Sequence, residues 1–381
     1  MPVEDAADMR EYSFNIAANG LTDDPDSLTG MRYLKNLKPD DGFFVVPALP
    51  VMPIGWNAGK QVLRGKGMTL LCTATTVYLV NESNMTLTTL ATVEAGGAWH
   101  MADFRTVALL ANGSSVVAVS GLDGSAVTVR LGTVMDHMDS RLVYGDLDDG
   151  INWVGWSAIG GEDIPYLVEG ADVPVLILAK NEANKAPMPF RGRVLRILPL
   201  RDRFVVYGED GVIAMRVTGG TYGFDWITGL PSGVGLDGRG AAAGNDDGHV
   251  FYGTDGALYR IAPDLVCERV HRGLGLSAPT VSHDTVNGEW WITGPVNAYV
   301  LTKRGLGGPI EARVMSVCVM NGVVCGTGTG YPDVIRAEAW SNLFDAGDSA
   351  QKRVTYVRVS ADGVSGIKVG ARIAQNTGVK S

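Results

Sequence analysis

Asp247-Gly248-His249-Val250-Phe251-Tyr252-Gly253-Thr254-Asp255-Gly256-Ala257-Leu258-Tyr259-Arg260-Ile261 is the stretch on which the fold turns. Asp-Gly favours the positive φ values that tight hairpin turns need. The runs after each pair, His249–Tyr252 and Ala257–Ile261, are short and rich in β-branched and aromatic residues, the composition of a pleated, half-buried strand. The reading is three short antiparallel strands joined by two tight turns.

The same pattern recurs outward from there. Twelve Asn-Gly or Asp-Gly pairs occur in the 381 residues. Asp210-Gly211 separates Arg203–Tyr207 from Val212–Val217, and Asn287-Gly288 separates Thr280–Val286 from Glu289–Thr293. Asn112-Gly113 lies between Thr106–Ala111 and Ser115–Val119, and Asp123-Gly124 leads into Ala126–Leu131. From Asp210 through Asp247 and Asn287 to Asn321 the turns fall at intervals of 37, 40 and 34 residues. The interval from Asn112 to Asp210 is 98, room for two longer units. A period near 40 with three or four strands per unit predicts a β-propeller blade. The fold class is therefore all-β: a propeller of about six to seven blades over 61–340, an extended N-terminal arm over 1–60 and closing C-terminal strands over 341–381.

Some stretches depart from the pattern. Asp136–Pro189 breaks the period; Asn181–Pro189 reads as a loop between blades, and a division into two smaller β domains would fall here. Helix is expected only over Glu4–Ile16 and around Arg336–Phe344. Pro39, Pro47, Pro50 and Pro53 rule out a long central strand in the arm. At the other end, Arg353–Val359, Asp362-Gly363 and Gly366–Ile373 read as a hairpin.

Composition narrows the function classes. Fifty glycines, scattered singly between apolar runs, fit many tight turns better than a low-complexity linker. The net charge is −9, from 41 acidic and 32 basic residues, with no basic run longer than two. That argues against gripping nucleic acid by its phosphates. The opening Met1–Asp8 is acidic and polar, unlike a secretion signal, and no apolar stretch approaches the length of a membrane span. Cys72, Cys267, Cys318 and Cys325 lack metal-ligand spacing and read as buried free thiols.

No motif makes a catalytic, metal or cofactor site, and none is assigned. Gly233-Val-Gly235-Leu-Asp-Gly238 matches GxGxxG, but further turn signals follow it where a dinucleotide site needs a helix. Gly326-Thr-Gly-Thr-Gly330 lacks the Lys-Ser/Thr of a phosphate loop and reads as a flexible turn. Asp146, Asp148 and Asp149 lack the closing Glu of a calcium loop and read as a solvated acidic loop. His100, His137, His249, His271 and His283 show no metal-binding spacing, and the eight tryptophans, at no helical spacing, read mostly as packing. Ser282-His-Asp284-Thr-Val-Asn-Gly288-Glu-Trp-Trp291 is similar to the Asp-box of sialidase-type propellers, with two extra residues between Asp and Gly; that box is itself a structural turn.

Three segments together resemble a family of bacteriophage head-completion and tail-hub proteins, of the podophage nozzle and packaged-DNA stabilisation type. The first is Gly20-Leu-Thr-Asp-Asp-Pro-Asp-Ser-Leu28 with Asn36-Leu-Lys-Pro-Asp-Asp-Gly42. The second is Gly97-Ala-Trp99-His-Met-Ala-Asp-Phe104 running on to Asn112-Gly113. The third is Trp340-Ser-Asn-Leu-Phe-Asp-Ala-Gly347 with Lys352–Val357 and Ala361-Asp-Gly363. The resemblance implies a non-enzymatic virion protein, made in the host cytoplasm and placed at the head–tail junction or tail hub. It implies a homo-oligomeric ring of about six copies, with portal, adaptor and other tail proteins as neighbours and double-stranded DNA passing through without specific binding. The alternatives are a carbohydrate-binding or glycan-cleaving propeller, built around Trp290 or Trp291 and two carboxylates, and a bacterial propeller scaffold.

Overall fold

The computed structural model describes residues 20–23, 31–41, 44–53, 56, 61–122, 124–129, 132–138, 141–148, 150–157, 184–218, 224–227, 230, 233–329 and 338–341. The chain divides into two units, 1–342 and 343–381, and the described residues all lie in the first. The expected helix at Glu4–Ile16 and the hairpin over 353–373 lie outside the described residues.

Three short strands come first: β1 (Met31–Lys35), β2 (Lys38–Pro39) and β3 (Phe44–Val45). Six four-stranded antiparallel sheets follow, each built in chain order. Blade 1 is β4 (Gln61–Gly65), β5 (Met68–Cys72), β6 (Thr76–Val80) and β7 (Leu87–Thr92). Blade 2 is β8 (His100–Phe104), β9 (Val107–Ala111), β10 (Val116–Ser120) and β11 (Ala126–Val129). Blade 3 is β12 (Val134–Met138), β13 (Arg141–Leu147), β14 (Gly150–Trp156) and β15 (Asn184–Pro187). Blade 4 is β16 (Val194–Leu200), β17 (Arg203–Gly208), β18 (Val212–Val217) and β19 (Phe224–Ile227). Blade 5 is β20 (Ala242–Asn245), β21 (Gly248–Tyr252), β22 (Leu258–Ile261) and β23 (Cys267–His271). Blade 6 is β24 (Thr280–Asp284), β25 (Glu289–Thr293), β26 (Ala298–Thr302) and β27 (Gly305–Ile310). A two-stranded pair, β28 (Arg313–Met320) and β29 (Val323–Thr329), and a last strand, β30 (Glu338–Ser341), complete the set.

The first strands of successive blades stand side by side, and β28 stands between β24 and β4, so the ring closes. The fold is a β-propeller with six complete blades and a partial seventh position. Val51 from the arm adds to that position as a parallel bridge beside β29: its N–H donates to Val324 at 2.9 Å and its carbonyl accepts from Gly326 at 2.9 Å.

Local chemistry explains the hairpins. Asn321-Gly322 has φ of 51° and 77°, the paired left-handed values of a type I′ turn. Lys66-Gly67 does the same at 50° and 73°. Other turns are tied by side chains: Asn112 Oδ1 accepts from the N–H groups of Ser114 and Ser115 at 2.9 and 2.8 Å. Asp284 Oδ1 accepts likewise from Val286 and Asn287 at 3.0 and 3.1 Å. These are Asx turns, in which the side chain takes over a backbone acceptor's place.

The core lies between blades. Phe251 stacks on Tyr259 at 5.0 Å within blade 5 and meets Tyr207 of blade 4 at 5.4 Å. Trp156 of blade 3 packs edge-on to Phe224 of blade 4 at 4.9 Å. Each such fully buried ring contributes about 1.5–3 kcal/mol by leaving water.

Three expectations are corrected. Asp136–Pro189 does not interrupt the fold: it supplies the strands of blade 3, and Asn184–Pro187 is that blade's outer strand instead of a loop between blades. Gly326–Thr329 is strand, not a flexible turn. A Cβ on Gly326 would lie 2.9 Å from Pro50 Cβ, so glycine there admits the crossing arm. Residues 338–341 form a strand where helix was expected, because they pair with β1.

His249 shows what inter-blade burial costs a charge. Its Nδ1 meets the Tyr207 hydroxyl at 2.9 Å and its Nε2 donates to the Pro199 carbonyl at 2.7 Å. Burial pulls its pKa from 6.5 down to about 4. Between those values the unfolded chain takes up a proton that the folded chain refuses, so stability falls as pH drops from 6.5 to 4. The loss is about 3 kcal/mol. In urea titrations across that range, His249→Gln is expected to bind one proton fewer on unfolding than the parent chain. An unchanged pH slope would show that His249 is not the titrating group.

Candidate functional site

Two regions gather chemistry-bearing residues. The first lies at the end of the ring where the first strands of the blades begin. Asp146, at the end of β13, has φ of 60° at an irregularity in the β13–β14 pairing. Its carboxylate is almost wholly buried, at 1% side-chain exposure. Arg193, just before blade 4, donates through Nη1 to both carboxylate oxygens, at 2.7 and 2.8 Å. Arg239, just before blade 5, donates through Nη2 at 2.9 Å, and Thr133 donates its hydroxyl. The expectation of a solvated acidic loop is corrected at Asp146, the buried hub of an inter-blade cluster; Asp148 is exposed as expected, and Asp149 lies outside the described residues. Asp148 lines a cleft of about 700 Å³ beside it, with Glu94, Ser114, Ser115 and Thr133.

The segment leading into β20 crosses the axis. Arg239 Cδ would lie 2.8 Å from a Cβ on Gly113 in blade 2. A Cβ on Gly240 would meet Ala98, just before blade 2, at 2.9 Å and Thr280 of blade 6 at 3.0 Å. The Gly240 carbonyl accepts from Val281 N–H at 2.7 Å. A stretch entering blade 5 reaches blade 2 only by spanning the ring. The GxGxxG glycines fall just ahead of this crossing, in irregular backbone, not between a strand and a helix.

Arg196 stands on β16 opposite Tyr207 on β17. Burial lowers its pKa to about 10, and the charge of Arg239 adds to the drop.

The second region is the root of the arm on blade 6. β1 pairs antiparallel with β30, setting Tyr33 opposite Trp340. Asn36, fully buried, donates its N–H to the Pro309 carbonyl at 2.8 Å. Its side chain accepts from Glu311 N–H at 2.7 Å and donates to the Glu311 carboxylate at 2.9 Å. Lys38 pairs with Glu289, and Asp41 with Arg304. A Cβ on Gly307 would lie 2.5 Å from Lys38 Cα, so glycine in β27 is what lets the arm backbone approach.

The remaining candidates are dispersed. His100 sits in blade 2, with Nε2 accepting from Met135 N–H at 3.0 Å. His137 lies beside Asp136, whose hydrogen bond raises its pKa. His271 is in blade 5, and His283 stacks on Trp290 at 3.7 Å in blade 6. No cluster of three metal-ligating side chains occurs among the described residues. The four thiols are free; Cys318 and Cys325 face each other across β28–β29, and burial pushes Cys318 up to about 12. Of the tryptophans, Trp56, Trp99, Trp156 and Trp291 are buried, while Trp226 is exposed. No helix among the described residues is long and apolar enough to cross a membrane.

No family profile and no curated protein sequence matches the chain. Solved structures with a similar fold include a streptogramin B lyase, at 12% identity and a TM-score of 0.49, covering 76% of this chain and 97% of that one. Hsv2 of Kluyveromyces lactis is similar at 8% identity and a TM-score of 0.42, over 71% of this chain and 84% of that one. The extracellular domain of BT4673 from B. thetaiotaomicron is similar at 11% identity and a TM-score of 0.46, over 74% and 39%. At such identities the likeness says nothing of what this chain binds or does.

Proposed function

We propose that the chain is a non-enzymatic structural protein of a bacteriophage virion, set at the head–tail junction or tail hub. A ring of about six copies surrounds the passing DNA. One observation carries this reading beyond the sequence resemblance. The segments that bracket the propeller in that resemblance, ending at Gly42 and starting at Trp340, are brought together by the β1–β30 pair at the edge of blade 6. Both flanks of the propeller are thereby rooted at one place, as suits a module whose ends engage its neighbours.

The DNA path lies in the lumen between copies. The propeller's own axis is spanned by the segment around Gly240, and a duplex whose major groove alone is ~12 Å wide needs more room than that. Acidic side chains facing the lumen would keep phosphates from sticking. The glycan-acting alternative has less support. Trp291 is 1% exposed, Asp284 is held in its turn, and Glu289 is paired with Lys38.

The test is negative-stain imaging with mass photometry of the full chain, alone and mixed with candidate portal or adaptor proteins. A ring of about six copies with an open centre is expected, alone or on the partner. A chain that stays monomeric with those partners, while binding glycans on an array, would replace this reading with the carbohydrate-binding one.

A further inference from the structure

We propose that the cleft between blades 4 and 5, at the end of the ring where the first strands of the blades finish, binds a small amphipathic anion, with its apolar body on the cleft floor and its carboxylate on Arg216. This goes beyond the connector reading and does not depend on it. The cleft holds about 630 Å³, a volume ordinary for small-molecule sites. Its walls are the turns after β16 and β22 and the end of the outer strand β19. Ile227, Leu230 and Leu265 supply an apolar floor. Val266, 59% exposed, is an apolar side chain at the mouth that a ligand body would cover. Taking such surface out of water is the driving force for the apolar half of the ligand.

The polar groups set the sign of the charge. Arg203 and Arg216, both on the cleft wall, stand directly opposite each other on β17 and β18. Like charges so placed repel. Asp202 pairs with one of them, its Oδ1 lying 2.9 Å from Arg203 Nε. Asp264 accepts from Val266 N–H at 3.1 Å, within its own turn. Arg216 has no hydrogen-bond or ion-pair partner among the described residues, although Asp225 follows it across the β18–β19 ladder. A guanidinium is a planar fork of donors that matches the paired oxygens of a carboxylate. An anion on Arg216 would relieve its repulsion with Arg203, and the apolar floor restricts the gain to anions that carry a hydrophobic body.

The test uses octanoate as the probe and Cys267 as the reporter. Cys72, Cys318 and Cys325 are buried, whereas Cys267 is half-buried on the cleft wall. Alkylation of Cys267 by iodoacetamide in the full chain, read by peptide mass spectrometry, should slow at least about fivefold at saturating octanoate, with a Kd below about 1 mM. Octylammonium keeps the body and reverses the charge; butyrate keeps the charge and shortens the body. Each should protect at least about tenfold more weakly. Arg216→Gln should weaken octanoate by at least about tenfold, and because Arg216 is exposed the variant keeps the fold. Calorimetric titration with octanoate should give the same Kd without the thiol reagent. Absence of protection up to about 10 mM octanoate, equal protection by octylammonium or butyrate, or protection unaltered in Arg216→Gln overturns the assignment.

Discussion

Asp146→Ala is expected to lower the unfolding free energy by about 3–5 kcal/mol, the range for removing one partner of a buried ion pair. The carboxylate is the side-chain acceptor shared by two arginines that lead into different blades, and Thr133 bonds to it as well. Alanine would leave Arg239, at 12% side-chain exposure, without its counter-charge. Arg193 is 40% exposed and would recover solvent, which keeps the loss from being larger. Asp146→Asn should lose less, because the amide oxygen still accepts. Urea unfolding followed by tryptophan fluorescence reads both variants. A loss below about 1 kcal/mol for alanine would place the cluster with ordinary surface pairs.

Gly307→Val is expected to strip the arm from blade 6. A valine Cβ would start 2.5 Å from Lys38 Cα and 2.6 Å from the Leu37 carbonyl oxygen, both backbone atoms with little freedom to retreat. The arm would give way first, since blade 6 is held by three ladders and β1–β3 by fewer bonds. Cleavage by trypsin after Lys35 should then rise by about tenfold or more, tracking the open population, while the inter-blade core keeps its fluorescence. On the connector reading, ring formation should fail in the same variant. Unaltered cleavage would mean that the arm tolerates the collision by shifting.

Much of the fold was legible because turn chemistry is local. Asp247-Gly248 and Asn287-Gly288 mark β20–β21 and β24–β25 within a residue or two. What failed was non-local. The glycines after Cys325 look like a loose turn until Pro50 and Val51 are known to cross them. Asp146 looks solvated because its arginine partners lie 47 and 93 residues away. The 98-residue interval leaves room for blade 3, but its outer strand is not legible because a long stretch separates β14 from β15 and breaks the period.

The arm has a consequence for how the protein is made. Asn36 and Glu311, which bind each other, stand 275 positions apart. On a ribosome moving at ~5–20 residues per second, the first of them waits roughly 15–60 s for the second to emerge. Until then β4 and β24 have no β28 between them, and their open flanks invite association with other nascent chains. Val51 waits about as long for its place beside Cys325. Translation that stops before β29 yields blades without a seal, so the circle doubles as a proofreading of synthesis: only a chain made through Cys325 can lock the arm in place.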